Sequence, residues 1–357
     1  MTNKGMKFAA IIKDARIANK MLVRELAQAL DIDASLMSRI ESGERMPAGD
    51  LLPKLADELR LELPLLKREW LAARLMRELE EYPELAEEVA SMVMERVEAY
   101  IPQQRGTPDE LAEDVAHLNQ LRKEVSARQP LDETQLTRLR EFFHTRYTYH
   151  SNKIEGNTLT LQETALVVAK GITIAGKSVR EHLEAVNHQE AVEYLEGLVQ
   201  KGSRLSEGLI KELHYLILKG IEKRWAGVYR QVEVRISGSE HVPPPHFDVP
   251  MEMQRMLAYY QENRHKLHPV LLAADMHLML VGIHPFMDGN GRTSRLLMNL
   301  ILMQGGFYIA NIKGDLTDRL EYYEALEEAH VRGNTLPFRR LVAKAVGQNM
   351  EEYLTLL

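Results

Sequence analysis

The sequence predicts a mostly helical protein with one small β-hairpin, and three observations predict it. Apolar residues recur at helical spacing through the first seventy positions. Apolar runs from Val270 to Ile283 and from Leu296 to Gln304 bracket a glycine-rich turn. Strand-like alternation appears at Val232, Val234 and Ile236, ahead of a Ser-Gly-Ser turn. A length of 357 residues suggests two or three domains with ample core. No apolar run reaches the roughly 18 residues of a membrane span, and Met1–Lys7 lacks the apolar stretch of a signal peptide, so no membrane partner is expected. The chain has no cysteine, which excludes disulfides, zinc–thiolate sites and thiol nucleophiles and points to the cytoplasm. A net charge of −7 argues against a surface that coats nucleic acid generally, while leaving room for a local DNA-binding patch.

From Phe8 to Leu61 the spacing gives four or five short helices: Phe8, Ile11, Ile12 and Ala15, then Leu22, Leu26, Ala27 and Leu30, then Leu36 and Ile40. Asp33 is placed to cap the third helix and Gly43 to close it. Two helices joined by a brief turn at Asp31-Ile32-Asp33 fit a helix-turn-helix. The pattern Leu26-Ala27 followed by Ser35-x-x-Ser38-Arg39-Ile40-Glu41-x-Gly43-x-Arg45-x-Pro47 resembles the Cro/repressor-type DNA-binding family over residues 7–66. That resemblance implies a domain over 1–67 whose helix 34–42 enters the major groove of operator DNA. Ser35, Ser38 and Arg39 would face bases or flanking phosphates and Arg45 the DNA backbone.

Residues 68–130 read as a helical connector. Leu71, Leu75, Leu79, Leu85, Val89, Val93 and Val97 supply apolar faces to a charge-rich helical stretch broken at Pro83. Packing onto a neighbouring domain and pairing in a homodimer both suit it. A break follows over 101–107, then a helix from about Glu110 to Ala127.

The stretch His284-Pro-Phe-Met-Asp-Gly-Asn-Gly-Arg-Thr-Ser-Arg295 organises the rest. Its glycines let the backbone approach an anion, and the helix they open offers free N–H groups and the positive end of its dipole. Arg292 and Arg295, three apart, share a face of that helix. Asp288 suits a Mg²⁺ whose other ligands are phosphate oxygens and water, and His284 is a proton acceptor near neutral pH.

The twelve residues resemble the signature of Fic-domain enzymes, matching His-Pro-Phe-x-Asp-Gly-Asn-Gly-Arg-x-x-Arg at every fixed position. The resemblance spans roughly 131–341, within a domain taken as 131–345, with 346–357 as a C-terminal helix end. It implies transfer of AMP from ATP to a Ser, Thr or Tyr hydroxyl of a target protein, or removal of that AMP. His284 would be the general base and Asp288 the Mg²⁺ ligand. Gly289, Asn290, Gly291, Arg292 and Arg295 would serve the phosphates, Asn290 alternatively bracing the turn, with Phe286 buried beneath. Upstream, Ser151, Glu155 and Gly156 resemble the Ser-x-x-x-Glu-Gly inhibitory motif of Fic proteins, on a helix near 147–156. Glu155 would then pair with Arg295 and misplace ATP. Val232, Val234 and Ile236 resemble the Fic flap, which docks an extended target segment by strand addition. His241 reads as a loop histidine, and His182, His188, His214, His265, His268, His277 and His330 as packing or surface residues. Either Tyr322 or Tyr323 is a candidate to approach the nucleotide, with buried packing the alternative. The competing reading is a DNA-binding transcription regulator whose Fic-like core senses nucleotide without turnover.

Overall fold

Among the described residues the first unit has five α-helices: α1 (Gly5–Ala18), α2 (Val23–Ala29), α3 (Ala34–Glu41), α4 (Leu52–Leu59) and α5 (Leu63–Glu81). In the computed structural model the described residues are 5–83, 85, 89, 109–129 and 131–357, and the chain divides into two compact units, 1–101 and 102–357. The helical spacing of the sequence becomes the core of the first unit, where Phe8, Ile12, Leu26, Leu30, Met37, Ile40, Leu55 and Leu59 pack together. Each such side chain contributes about 1.5–3 kcal/mol on leaving water. Asp33 caps α3, its Oδ1 accepting from the Ser35 amide at 2.6 Å, and Gly43 turns the chain at φ +78°. A forked ion pair from Arg16 to both carboxylate oxygens of Glu41, 2.6 and 2.8 Å, fixes α1 to the end of α3. Ser35, Ser38, Arg39 and Arg45 are all exposed.

Helix α5 joins this core through Leu66 and Ala73, and its Trp70 indole donates to Pro47 O at 2.9 Å. Leu71 and Leu75, 52% and 46% exposed, form a second stripe on the same helix that the unit leaves uncovered. The expected break over 101–107, and Val93 and Val97 before it, lie outside the described residues.

The second unit holds α6 (Ala112–Ser126), α7 (Glu133–Ile154), α8 (Leu161–Lys170), α9 (Val179–Gln200) and α10 (Glu207–Leu218). It continues with α11 (Val249–Asn263), α12 (Pro269–Ile283), α13 (Asn290–Gln304), α14 (Leu316–Arg332) and α15 (Leu336–Leu356). Helices α12 and α13 form its central hairpin. Both are buried around nearly their whole circumference; α12 is apolar almost throughout, while α13 carries its buried polar residues in its first two turns and at Asn299. Helices α11, α14 and α15 pack on α12, and α7, α9 and α10 on α13, with α6 closing against α15. Starts are specified locally: Asp132 and Ser206 cap α7 and α10, while Thr160–Glu163 and Ser178–Glu181 form capping boxes for α8 and α9.

One expectation is corrected. Among the described residues there is no strand, so the small β-hairpin is absent as a hydrogen-bonded ladder. Residues 229–245 run extended through a turn with Gly238 at φ +78°. The returning arm carries Pro243-Pro244-Pro245, which has no N–H to offer a ladder. A side chain replaces the missing bonds: Arg230, 2% exposed, donates to Val232 O on one arm and Pro244 O on the other. The turn is pinned to α14, where Glu327 accepts from the Glu240 amide at 2.8 Å and from the Ser239 hydroxyl.

Candidate active site

The loop between α12 and α13 brings the motif residues together. His284 ends α12 in the left-handed conformation, φ +50°, a strained choice for a residue with a Cβ. Neighbours over-determine it. The Arg230 guanidinium donates from Nε to His284 O at 2.8 Å, and the Arg230 amide donates to Pro285 O at 2.9 Å. The His284 ring nitrogen Nδ1 faces Val281 O at 3.3 Å. A carbonyl can only accept, so Nδ1 carries the hydrogen and Nε2 is the basic atom. Burial pushes the imidazole below its ordinary value; the Val281 bond opposes this and the nearby Arg230 charge adds to it. His284 is therefore a neutral acceptor at physiological pH.

Asn290, expected either at the phosphates or bracing the turn, braces the turn. Its Oδ1 accepts from Phe286 N at 3.0 Å and its Nδ2 donates to Phe286 O at 2.9 Å, which occupies the amide inside a buried loop. Phe286 lies fully buried under the loop, as expected, stacked on the His214 ring at 3.6 Å and 5°. His214 was read from sequence as a packing residue, and it does more than fill space. The Gly227 amide donates to its Nδ1 at 2.8 Å, so Nε2 carries the hydrogen and donates to Asp288 O, also at 2.8 Å. Burial lowers its pKa to about 4 and keeps that tautomer neutral. No sequence signal joined a histidine in an apolar helix to a loop 74 residues away.

Asp288 stands at the mouth of the loop. Oδ1 accepts from Gly289 N at 2.6 Å, and Oδ2 pairs with Arg180 Nη2 at 2.6 Å. Burial works against its ionisation, but Arg292, the Gly289 amide and Arg180 together hold its pKa below the usual value. Among the described residues no three His, Cys, Asp or Glu side chains gather around a metal position. One ionised carboxylate suits a hard divalent cation that keeps water and phosphate oxygens as its remaining ligands, and so fits Mg²⁺.

The two arginines of α13 are held differently. Arg292 is 2% exposed, lies 3.4 Å from Glu184 and 3.5 Å from Asp288, and leaves Nε and Nη1 without a hydrogen-bond partner. A buried guanidinium with unpaired donors at a helix N-terminus has the chemistry to receive an anion. Arg295 is satisfied instead. It donates to Ser151 Oγ at 3.1 Å, Ser151 O at 2.8 Å and Glu155 Oε1 at 2.7 Å, with Tyr322 Oη at 3.4 Å. Burial alone would lower its pKa; Glu155 reverses that and holds the charge. Ser151 and Glu155 reach it from the last turn and C-cap of α7, and Gly156 turns the chain away at φ +99°. Tyr322 is buried behind Arg295, where its hydroxyl also meets His277 Nε2 at 3.1 Å, while Tyr323 bonds Ile154 O at 3.1 Å.

Residues 204–302 match the Fic/DOC family, and residues 12–66 match the helix-turn-helix family. Over that first span the chain is similar to the Fic/DOC family.

Among curated relatives, the protein adenylyltransferase Fic of Nematostella vectensis is 40% identical over 210 residues, 58% of this chain and 48% of that protein. Its namesake from Drosophila grimshawi is 37% identical over 220 residues, 61% of this chain and 44% of that one. The chain thus spans about half the length of these relatives. A Fic-domain signalling protein from Bacteroides thetaiotaomicron superposes with a TM-score of 0.62 at 27% identity, covering 67% of this chain and 96% of that one. The Fic-1 protein of C. elegans superposes with a TM-score of 0.62 at 26% identity, covering 98% and 97%. The Fic/DOC match covers the buried Arg292 and Arg295, and the helix-turn-helix match covers α3.

Of the expected site residues, His284, Asp288, Gly289, Gly291, Arg292, Arg295, Ser151 and Glu155 lie in the α12–α13 loop, in the first turns of α13 and at the end of α7 that packs against them. Arg180 and Glu184, four apart on α9, join it unannounced by any motif. In the flap segment Val232 is exposed while Val234 and Ile236 are half-buried.

Proposed function

We propose that this chain is a protein adenylyltransferase that moves AMP from ATP to a Ser, Thr or Tyr hydroxyl of a target protein and is held inactive by Glu155. The observation that carries the reading is the pairing, in one loop, of a neutral histidine with a free Nε2 and a buried arginine with orphaned donors at a helix N-terminus. The names of the curated relatives support it.

His284 Nε2 takes the proton as the target oxygen attacks the α-phosphorus, and pyrophosphate leaves. Gly289 and Gly291 let the phosphates approach the backbone, while Arg292 and Arg295 neutralise charge that builds on the phosphate oxygens. Asn290 acts one step back by holding the loop closed on Phe286. Asp288 would hold Mg²⁺, which when bound screens the triphosphate. Val232, Val234 and Ile236 would align an extended target segment along the flap. Glu155 denies Arg295 to the terminal phosphate, and the same carboxylate can orient water against an AMP-modified target, which gives the reverse reaction.

The test uses ATP labelled on its α-phosphate with wild type, Glu155→Gly and Glu155→Gly/His284→Ala. Label on protein in Glu155→Gly alone is expected. Absence of label from every variant, with ATP bound and a library of candidate targets present, sinks the reading.

A second reading has its own support in the helix-turn-helix match and the exposed Ser35, Ser38, Arg39 and Arg45. The first unit would bind operator DNA, with the Fic domain sensing nucleotide. The uncovered Leu71–Leu75 stripe suits a homodimer on a two-fold site. Sequence-specific DNA binding that changes with ATP, without AMP transfer in Glu155→Gly, would favour this reading over the first. The absence of cysteine is the support for a cytoplasmic setting.

A further inference from the structure

Asp288 has two oxygens, and both are engaged. Oδ1 accepts from the Gly289 amide at 2.6 Å, a bond built into the loop itself. Oδ2 is covered by Arg180 Nη2 at 2.6 Å. The two arginines beside this carboxylate differ in what they can do. Arg292 is buried and anchored on α13, so it stays. Arg180 lies in the first turn of α9, and its side chain is half exposed. It has two other carboxylates within reach, Glu184 Oε1 at 3.2 Å from Nε and Glu222 Oε1 at 3.9 Å from Nη1. Arg180 can therefore leave Asp288 without opening the core and without losing its charge partners.

We propose that Arg180 is a placeholder for the divalent cation: its guanidinium covers one oxygen of Asp288, and cation binding displaces it onto Glu184 and Glu222. The inference rests on the nucleotide reading above and adds a second lock to it. Glu155 withholds an arginine from the phosphates, and Arg180 withholds a carboxylate from the metal. The two locks sit on different helices, α7 and α9, and involve no shared residue. A cation and a guanidinium in contact with the same oxygen repel each other, so each weakens the binding of the other. Metal affinity is thus set partly by how readily Arg180 moves.

The test reads metal occupancy directly. Full-length Glu155→Gly and Glu155→Gly/Arg180→Ala are titrated with Mn²⁺, followed by electron paramagnetic resonance, in the presence of a non-hydrolysable ATP analogue. Affinity for the same analogue without metal is measured in parallel. Mn²⁺ is expected to bind about fivefold more tightly once Arg180 is removed, as loss of a half-exposed competing ion pair allows, with metal-free nucleotide affinity unchanged within about twofold. Arg180→Gln, which keeps the side-chain length, should reproduce the effect if Arg180→Ala melts early. Unchanged or weaker Mn²⁺ binding, with nucleotide binding intact, overturns the placeholder and leaves the nucleotide reading standing. A tenfold loss of metal-free nucleotide affinity in Arg180→Ala also overturns it, by making Arg180 a phosphate contact. Failure of the analogue to bind every variant overturns the nucleotide reading, and the placeholder with it.

Discussion

Glu155 Oε1 lies 2.7 Å from Arg295 Nη2, and a Cβ added to Gly291 would fall 2.4 Å from the same oxygen. The carboxylate therefore rests against the N-terminal turn of α13, over the glycine that an incoming phosphate needs bare. It neutralises the positive end of the helix as well as the arginine. One oxygen thus opposes the anion by position and by charge.

Replacing Glu155 with Gly should raise AMP incorporation by about a hundredfold, the scale on which a misplaced phosphate slows transfer. The buried Arg295 then lacks its carboxylate, at a cost of about 1–3 kcal/mol. The variant should accordingly melt lower than wild type without ligand and gain more from ATP. Calorimetry with and without nucleotide checks both parts. An equal thermal gain in the two proteins contradicts the competition between Glu155 and phosphate.

His284→Ala should lower transfer by about 10²–10⁴-fold while leaving ATP affinity nearly intact, because the ring acts as base and not as a phosphate ligand. Burial first, then Arg230, depress its pKa, so the basic form survives as the pH falls through 6.5. The acid limb of kcat/KM in Glu155→Gly should lie below that value. A limb at or above 6.5 contradicts the environment assigned to His284.

Stability should fall on acidification for a related reason. Burial is the leading cause that lowers His150 and His214 from 6.5 to about 4. Between those values the unfolded chain binds protons that the folded chain refuses, so folding free energy rises with pH across the window and is lost as pH drops through it. A displacement of that size is worth about 3 kcal/mol for each histidine. Urea melts between pH 7 and pH 4 should show the loss, and His214→Gln should flatten it.

Arg230→Gln should disconnect the flap. The wild-type guanidinium meets the carbonyls of His284, Val232 and Pro244, and glutamine cannot reach all three. A stability cost of about 2–3 kcal/mol is expected from the orphaned groups. In the Glu155→Gly background, KM for the target protein should rise more than KM for ATP. Equal changes in the two would place Arg230 in the fold alone.

On the first unit, Arg39→Ala should weaken binding to any recognised DNA and reduce the dependence of log K on log salt by about one if Arg39 meets a phosphate. Fluorescence anisotropy at several salt concentrations measures this. Identical slopes for variant and wild type would remove Arg39 from the phosphate contacts.

Much of this was legible in the residues because the chemistry is packed into short stretches. The twelve residues from His284 to Arg295 specify a turn, a helix start and two arginines on one face, and the structure forms each of them. Ser151 and Glu155, one helical turn apart, could be placed on one face from spacing alone. Long-range partnerships were not legible. His214 supports Asp288 from a helix whose pattern reads as ordinary apolar packing, and Arg180 meets Asp288 across 108 positions. The flap misled for a physical reason: Val232, Val234 and Ile236 alternate like a strand, but a ladder needs donors on the other arm, and three prolines deny them. The side chain of Arg230, two positions before Val232, holds the two arms instead.

Helix α7 is a single element from Glu133 to Ile154, and it contributes Leu139, Tyr147 and Ile154 to the central core before reaching Glu155. Undocking that helix would mean unfolding the domain, so release cannot proceed by removing a lid. What remains is rotation of one carboxylate at the helix end, beside a glycine already in the left-handed conformation. Such rotations take pico- to nanoseconds at exposed positions. On the proposed function, activity would follow a ratio of occupancies, with nucleotide and side chain competing for one guanidinium by mass action. Inhibition of that kind would be a continuously adjustable threshold, set by nucleotide concentration and by anything that changes the energy of a single rotamer.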